Sequence, residues 1–166
     1  MSQNAPSLQD LLTTYLQGPD QLEAALDGLT DADLDKRGSD GWSIRQIVHH
    51  LTDGDAMWSL FMKAAIITPG CTFNFDWYHN NDTASQALHY AERPIKSVLQ
   101  LFRANRNVMA QLLAQIEAVD SKYLLINATT DPSIEPESIY VPHIIELLTE
   151  HVQEHVAEIK RLRNTN

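Results

Sequence analysis

The residues best suited to chemistry in this chain are its histidines, seven among 166 residues. His151 and His155 stand four apart in the segment TEHVQEHVAEI. A helix turning about 100° per residue places positions i and i+4 on one face, and here that face is the apolar stripe, with Val152 and Ile159 beside His155. Two imidazoles buried side by side need partners, because an unpaired buried polar group costs about 1–3 kcal/mol. A divalent metal satisfies both, and this spacing lets two ring nitrogens reach one ion. The competing reading is a hydrogen-bonded pair in the core or at the surface.

The adjacent pair His49 and His50 must diverge on a helix. His50 falls on the shoulder of an apolar stripe with Ile47, Gly54 and Phe61, so it is expected to face inward; His49 falls with Thr52, Ala56 and Lys63 and is expected to face outward. Gly54, one turn on, clears space for a ligand or water. An inward His50 bonded to a carbonyl is the alternative. The string from His151 to His155 also fits the HxxEH pattern of inverted zinc proteases, but too little chain follows to supply their third ligand. Glu154 is therefore read first as a solvated acid, with a general-base role as the weaker reading. No nucleophile elbow, P-loop or dinucleotide fingerprint occurs. No Glu precedes a histidine at the di-iron spacing. Cys71, the single cysteine, reads as an ordinary loop thiol. Asn105 reads as a stripe-edge residue.

Four helical blocks would have to position these residues. The first carries Leu8, Leu11, Leu12 and Tyr15, then Leu22, Ala25 and Leu26, with Ser7 as N-cap. Gly18-Pro19 is expected to bend or break it. The second opens on a capping box, Ser43 with Gln46, and ends at Pro69-Gly70. A loop follows, CTFNFDWYHNND, whose Phe73, Phe75, Trp77 and Tyr78 are expected to fold over the bundle, with His79 as a further lid residue. The third block is a short helix near Ala84–Glu92 and then a long one with Pro94 in its first turn. After an irregular stretch holding Pro132 and Pro136, the last helix runs from about His143 to Arg163. The expected architecture is all-α: one domain over 1–166, an antiparallel four-helix bundle of up-and-down order with no sheet.

Composition narrows the partners. With 22 acidic against 12 basic residues the net charge is −10, which disfavours nucleic acid and anionic membrane surfaces. The most apolar stretch, Trp58 to Ile67, contains Lys63 and falls short of the ~20 residues of a membrane span. One cysteine and an opening without a leader pattern make the cytoplasm the expected compartment.

The segments GWSIRQIVHHLTD and TEHVQEHVAEI, together with Leu-Leu-Thr-Thr-Tyr-Leu-Gln-Gly-Pro near the start and a Phe-Asp-Trp loop, resemble the DinB-like superfamily, and within it the branch of YfiT-type metal-dependent hydrolases. The resemblance spans nearly the whole chain. It implies a four-helix bundle holding a divalent metal, nickel or zinc, on three histidines. Matched position by position, these are His50, His151 and His155. It further implies either hydrolysis of a small-molecule substrate or S-transfer dependent on a low-molecular-weight thiol. Arg45, Lys96, Arg103 and Arg106, if gathered at the site, would favour an anionic thiol. A noncatalytic metal-binding or stress-associated bundle is the alternative from another class. A homodimer is also expected, from the resemblance and from Trp58 and Phe61 exceeding one narrow stripe.

Overall fold

The computed structural model describes residues 6–37, 41–74, 81–127 and 135–164. Four long helices form the body: α1 (Leu8–Leu26), α3 (Ile44–Ile67), α5 (Lys96–Leu113) and α6 (Val141–Arg163). Two short ones, α2 (Asp31–Leu34) and α4 (Asn81–Ala87), lie in the connections. Local sequence sets the starts. Ser7, Thr30 and Ser43 each accept a backbone N–H from the third helical residue, and Asp10, Asp33 and Gln46 reach back to the capping residue. Pro142 stands in the first turn of α6, where a missing N–H leaves no carbonyl unpaired. Pro94 lies just before α5 rather than inside it.

Two apolar clusters fix the helix directions. One joins Leu12 and Tyr15 of α1, Phe61 and Met62 of α3, Met109 and Leu113 of α5, and Ile144 and Leu148 of α6. The other joins Leu22 and Leu26, Ile47 and Leu51, Val98 and Phe102, and Val156 and Ile159 from the same helices. Thus α1 and α6 run one way, and α3 and α5 the other. Antiparallel neighbours are present, α1 on α5 and α3 on α6, but the order is up, down, down, up instead of strict alternation. The α3–α5 connection is long enough to return along the bundle. It places α4 back at the start of α3, where Gln46 Nε2 donates to Ser85 Oγ at 2.9 Å and Trp42 Nε1 to Asp82 Oδ1 at 2.8 Å.

A sheet is present, contrary to the expectation from sequence. Strands β1 (Cys71–Asn74), β2 (Tyr123–Asn127) and β3 (Glu137–Tyr140) line up in that order, β1 parallel to β2 and β2 antiparallel to β3. It closes the end of the bundle where α3 and α5 finish. Leu124 is fully buried there, and Phe73 packs on Phe61 at 4.2 Å between ring centroids. Phe61 is thereby covered within the chain. Phe75, Trp77, Tyr78, His79 and Pro132 lie outside the described residues. Among the described residues, no helix is long and apolar enough to cross a membrane.

The dipeptide Gly18-Pro19 neither breaks nor ends α1. Proline removes the N–H that would bond the carbonyl four residues back, which is Tyr15 O. Arg106 Nη1 of α5 takes that acceptor at 2.8 Å. Gly18 leaves the room: a Cβ there would stand 2.3 Å from the same Nη1. The expected breaker is a socket for a guanidinium.

Candidate metal centre

Because α3 and α6 are antiparallel neighbours, the first half of α3 meets the second half of α6. His50 comes from the former; His151 stands at the middle of α6 and His155 in its second half. His50 Nε2 lies 3.0 Å from His151 Nε2, and His155 Nε2 lies 3.1 Å from the same atom. One nitrogen from each ring falls within 4.8 Å of the others. His50 is buried, whereas His151 and His155 are half-buried, so the cluster is not sealed from solvent. Among the described residues, the group has these three members.

The donor set is badly served by hydrogen bonding alone. A ring nitrogen carries either one proton or one lone pair, so His151 Nε2 cannot satisfy both neighbours. Protonation is opposed: burial first, then the neighbouring imidazoles, pushes His50 down to about 3. Burial, then His155 and Arg106, pushes His151 down to about 4. His155 Nδ1 faces Glu158 Oε2 at 2.9 Å, which places its proton on Nδ1 and leaves Nε2 as a lone pair toward the cluster. Three imidazole nitrogens directed at one region suit a borderline divalent cation. The residues present fit the ion that the resemblance implies.

Trp42 closes one side, its ring 4.8 Å from that of His50 and nearly perpendicular to it. His49 departs from expectation. It points away from the imidazole cluster, as the helical wheel requires, yet it is fully buried. The chain leading into α5 covers this outer face: Tyr90 stacks on the His49 ring at 5.4 Å, and His49 Nε2 lies 3.1 Å from the Arg93 carbonyl.

Between the two apolar clusters lies a buried ion pair of Arg106, expected only as a candidate cation for an anionic thiol, with Asp55, which the sequence did not single out. Arg106 donates from Nε to Asp55 Oδ1 at 2.9 Å, from Nη1 to Tyr15 O, and from Nη2 to Leu148 O at 2.9 Å. Its guanidinium lies over the Tyr15 and Phe102 rings, 4.2 and 4.6 Å from their centroids. The signal was available. Arg106 continues the α5 core positions Phe102, Met109 and Leu113, and Asp55 continues those of α3 at Leu51 and Met62. Charged letters on two core stripes mark buried charge.

Other candidates lie elsewhere. Glu154 is exposed, and the carboxylate that meets the cluster is Glu158, at the i+3 position from His155. Arg45 is engaged by Asp31 and Asp35, and Arg103 by Asp20 and Glu23. Lys96 is exposed, and Asn105 is half-buried beside the core stripe. Cys71 packs beside the core at the sheet end. Of the four cationic residues, Arg106 alone stands near the histidines, and its charge is already paired.

A family model of the DinB superfamily matches residues 14–159. Among curated proteins, one of Geobacillus thermodenitrificans (strain NG80-2) named "Putative metal-dependent hydrolase" is 27% identical, over 96% of this chain and 85% of that protein. Among solved structures, YfiT from Bacillus subtilis, described as "a probable metal-dependent hydrolase with an unusual four-helix bundle topology", matches with a TM-score of 0.82 at 19% identity, over 98% of this chain and 90% of that chain.

Proposed function

Because the chain belongs to the DinB superfamily, we propose that it is a metal-dependent hydrolase whose His50, His151 and His155 hold one divalent ion, nickel or zinc, through Nε2. The observation that carries this reading is the convergence of those nitrogens, 3.0 and 3.1 Å apart, from two separate helices. When bound, the ion supplies Lewis acidity, which acidifies water and polarises an electrophilic substrate. The protein's own residues do the rest. Glu158 holds the His155 proton on Nδ1, and burial keeps His50 and His151 neutral. Trp42 shields one flank, while the half-buried rings of His151 and His155 leave an approach for a small-molecule substrate.

Three protein ligands are the pattern of catalytic sites, whereas structural zinc sites normally have four. Apolar clusters lie on both sides of the histidines, so the bundle has a core without a metal staple. This favours an enzyme over a noncatalytic metal-binding bundle. Hydrolysis is preferred to S-transfer from a low-molecular-weight thiol because, among the described residues, Arg45 and Arg103 are already bound to carboxylates away from the histidines. The same proposal makes the chain a single cytoplasmic domain acting as a homodimer. Leu60 and Ile67, exposed on the outer face of α3, support the dimer, and light scattering at micromolar concentration tests it.

The deciding experiment is elemental analysis of natively purified protein, followed by ester, amide and thiol-conjugation panels on stripped and metal-restored samples. Hydrolysis that disappears with the ion and returns with it is expected. Wild-type protein that takes up no divalent ion would defeat the reading. Conjugation without hydrolysis would replace it with the transferase.

A further inference from the structure

We propose that Arg106 is a positioning residue for the three imidazoles, its guanidinium setting how α3 and α6 sit against each other beside the histidines they carry; the assignment rests on the metal reading above. Asp55 lies just beyond His50 on α3, and Leu148 stands one turn before His151 on α6. A single rigid fork bonds both, Nε to the Asp55 carboxylate and Nη2 to the Leu148 carbonyl, each at 2.9 Å. The planar guanidinium fixes the angle between those bonds, which a lysine ammonium would not.

The rest of the surroundings is arranged to hold that fork still. On α1, Gly18 withholds the side chain that would collide with Nη1, and Pro19 withholds the N–H that would compete for Tyr15 O. Both residues would weaken an isolated helix. On α5 itself Phe102 faces the guanidinium, with Tyr15 of α1. All four long helices therefore contribute a contact to one side chain that is fully buried. Stability alone does not account for this construction, since exchanging a buried ion pair for apolar residues of similar volume is often neutral or stabilising. What the directional fork adds to apolar packing is a fixed register between the two ligand-bearing helices, and register is the best-attested use of buried charge.

The test is the double variant Arg106→Met with Asp55→Leu, compared with wild type in Co²⁺ and Zn²⁺ titrations, the visible Co²⁺ spectrum and thermal unfolding. Expected are a folded protein whose melting temperature falls, because Tyr15 O loses its donor, ion binding weakened by about 10–100-fold, as for loss of groups that orient metal ligands, and an altered Co²⁺ spectrum, which a loss of stability alone would not produce. Binding as tight as wild type, with the same spectrum, would overturn the assignment and leave the three-histidine reading intact. No uptake by wild-type protein would overturn both. Should the double variant fail to fold, Gly18→Ala displaces the guanidinium without altering α3 or α6. It is expected to weaken ion binding, and unchanged binding there also overturns the assignment.

Discussion

Replacing Gly18 by alanine tests the socket in α1 directly, because generic reasoning gives the opposite sign. Gly→Ala inside a helix ordinarily stabilises by about 1 kcal/mol. Here the added Cβ would stand 2.3 Å from Arg106 Nη1 and 3.2 Å from its Cζ. The guanidinium has no slack, being bonded to Asp55, Tyr15 O and Leu148 O and enclosed by two rings. Moving it breaks the bond to Tyr15 O, which has no replacement donor because residue 19 is proline. Hydrogen bonds to charged groups contribute about 1.5–3 kcal/mol each. Losing one or two, set against the helix-propensity gain, gives a net destabilisation of about 0.5–5 kcal/mol, with a central value of about 3. For a chain of this size that lowers the melting temperature by about 5–15 °C. The assay is urea and thermal unfolding of wild type, Gly18→Ala, Arg106→Met and the combined Gly18→Ala, Arg106→Met variant. In the Arg106→Met background the collision is gone, and Gly18→Ala should recover its ordinary stabilising sign. A Gly18→Ala protein as stable as wild type, or the same sign in both backgrounds, would refute the socket.

The metal-free protein should lose stability in acid. His50 and His151 are held down to about 3 and about 4 in the fold, against about 6.5 unfolded. Between those values the unfolded chain binds up to two more protons, so stability falls as pH drops below about 6.5, with a slope approaching about 3 kcal/mol per pH unit; urea midpoints at pH 7.5, 6 and 5 check this, and a flat series contradicts it. His155→Ala should abolish ion retention while keeping the helical circular-dichroism signal, whereas full occupancy would exclude His155 as a ligand. Glu158→Gln should weaken ion binding by about tenfold through the loss of orientation at His155 Nδ1, read by competition with a chromophoric chelator; unaltered binding would remove Glu158 from the site. Leu124→Ala, at a fully buried position of β2, should cost about 2–5 kcal/mol in a chemical melt, and a loss below 1 kcal/mol would mean that the sheet does not close the core.

What the sequence made legible was what each helix decides for itself. Ser7 and Ser43 mark their caps through local hydrogen bonds, and the spacing of His151 and His155 puts them on one face whatever surrounds the helix. Both survive in the fold. The inward placement of His50 also follows from its own stripe. The remainder depended on contacts between distant segments. Strand β2 is the short run YLLIN, and its partner β1 lies far back in the chain, so no local signal pairs Cys71 with Leu124. The burial of His49 is not legible on a helical wheel, which shows one bundle-facing side, because the segment around Tyr90 covers the opposite one. Gly18-Pro19 reads as a breaker only while α1 stands alone; the guanidinium that rescues it comes from α5. Arg106 stands out in the sequence only as one of four cations, and its pairing with Asp55 is not legible there, because their partnership joins two helices and neither residue is apolar.

The separation of His50 from His151, 101 positions along the chain, bears on the order in which the cluster can be assembled. The α6 pair needs only one helical turn, so a helix as short as that segment already offers two nitrogens to an ion. His50 joins only after a long loop has closed, an entropic step that grows slowly with length but precedes the contacts that reward it. In addition, α3 and α5 run side by side in the same direction, which requires the whole connection through β1 and α4 to travel back before α5 can dock. An ion captured early on α6 would therefore be held by two ligands in the unfolded ensemble as well as by three in the native one. Ion binding to the native state would then stabilise only by the difference between the two affinities, and in the proposed ligand set His50 would arrive last and make that difference.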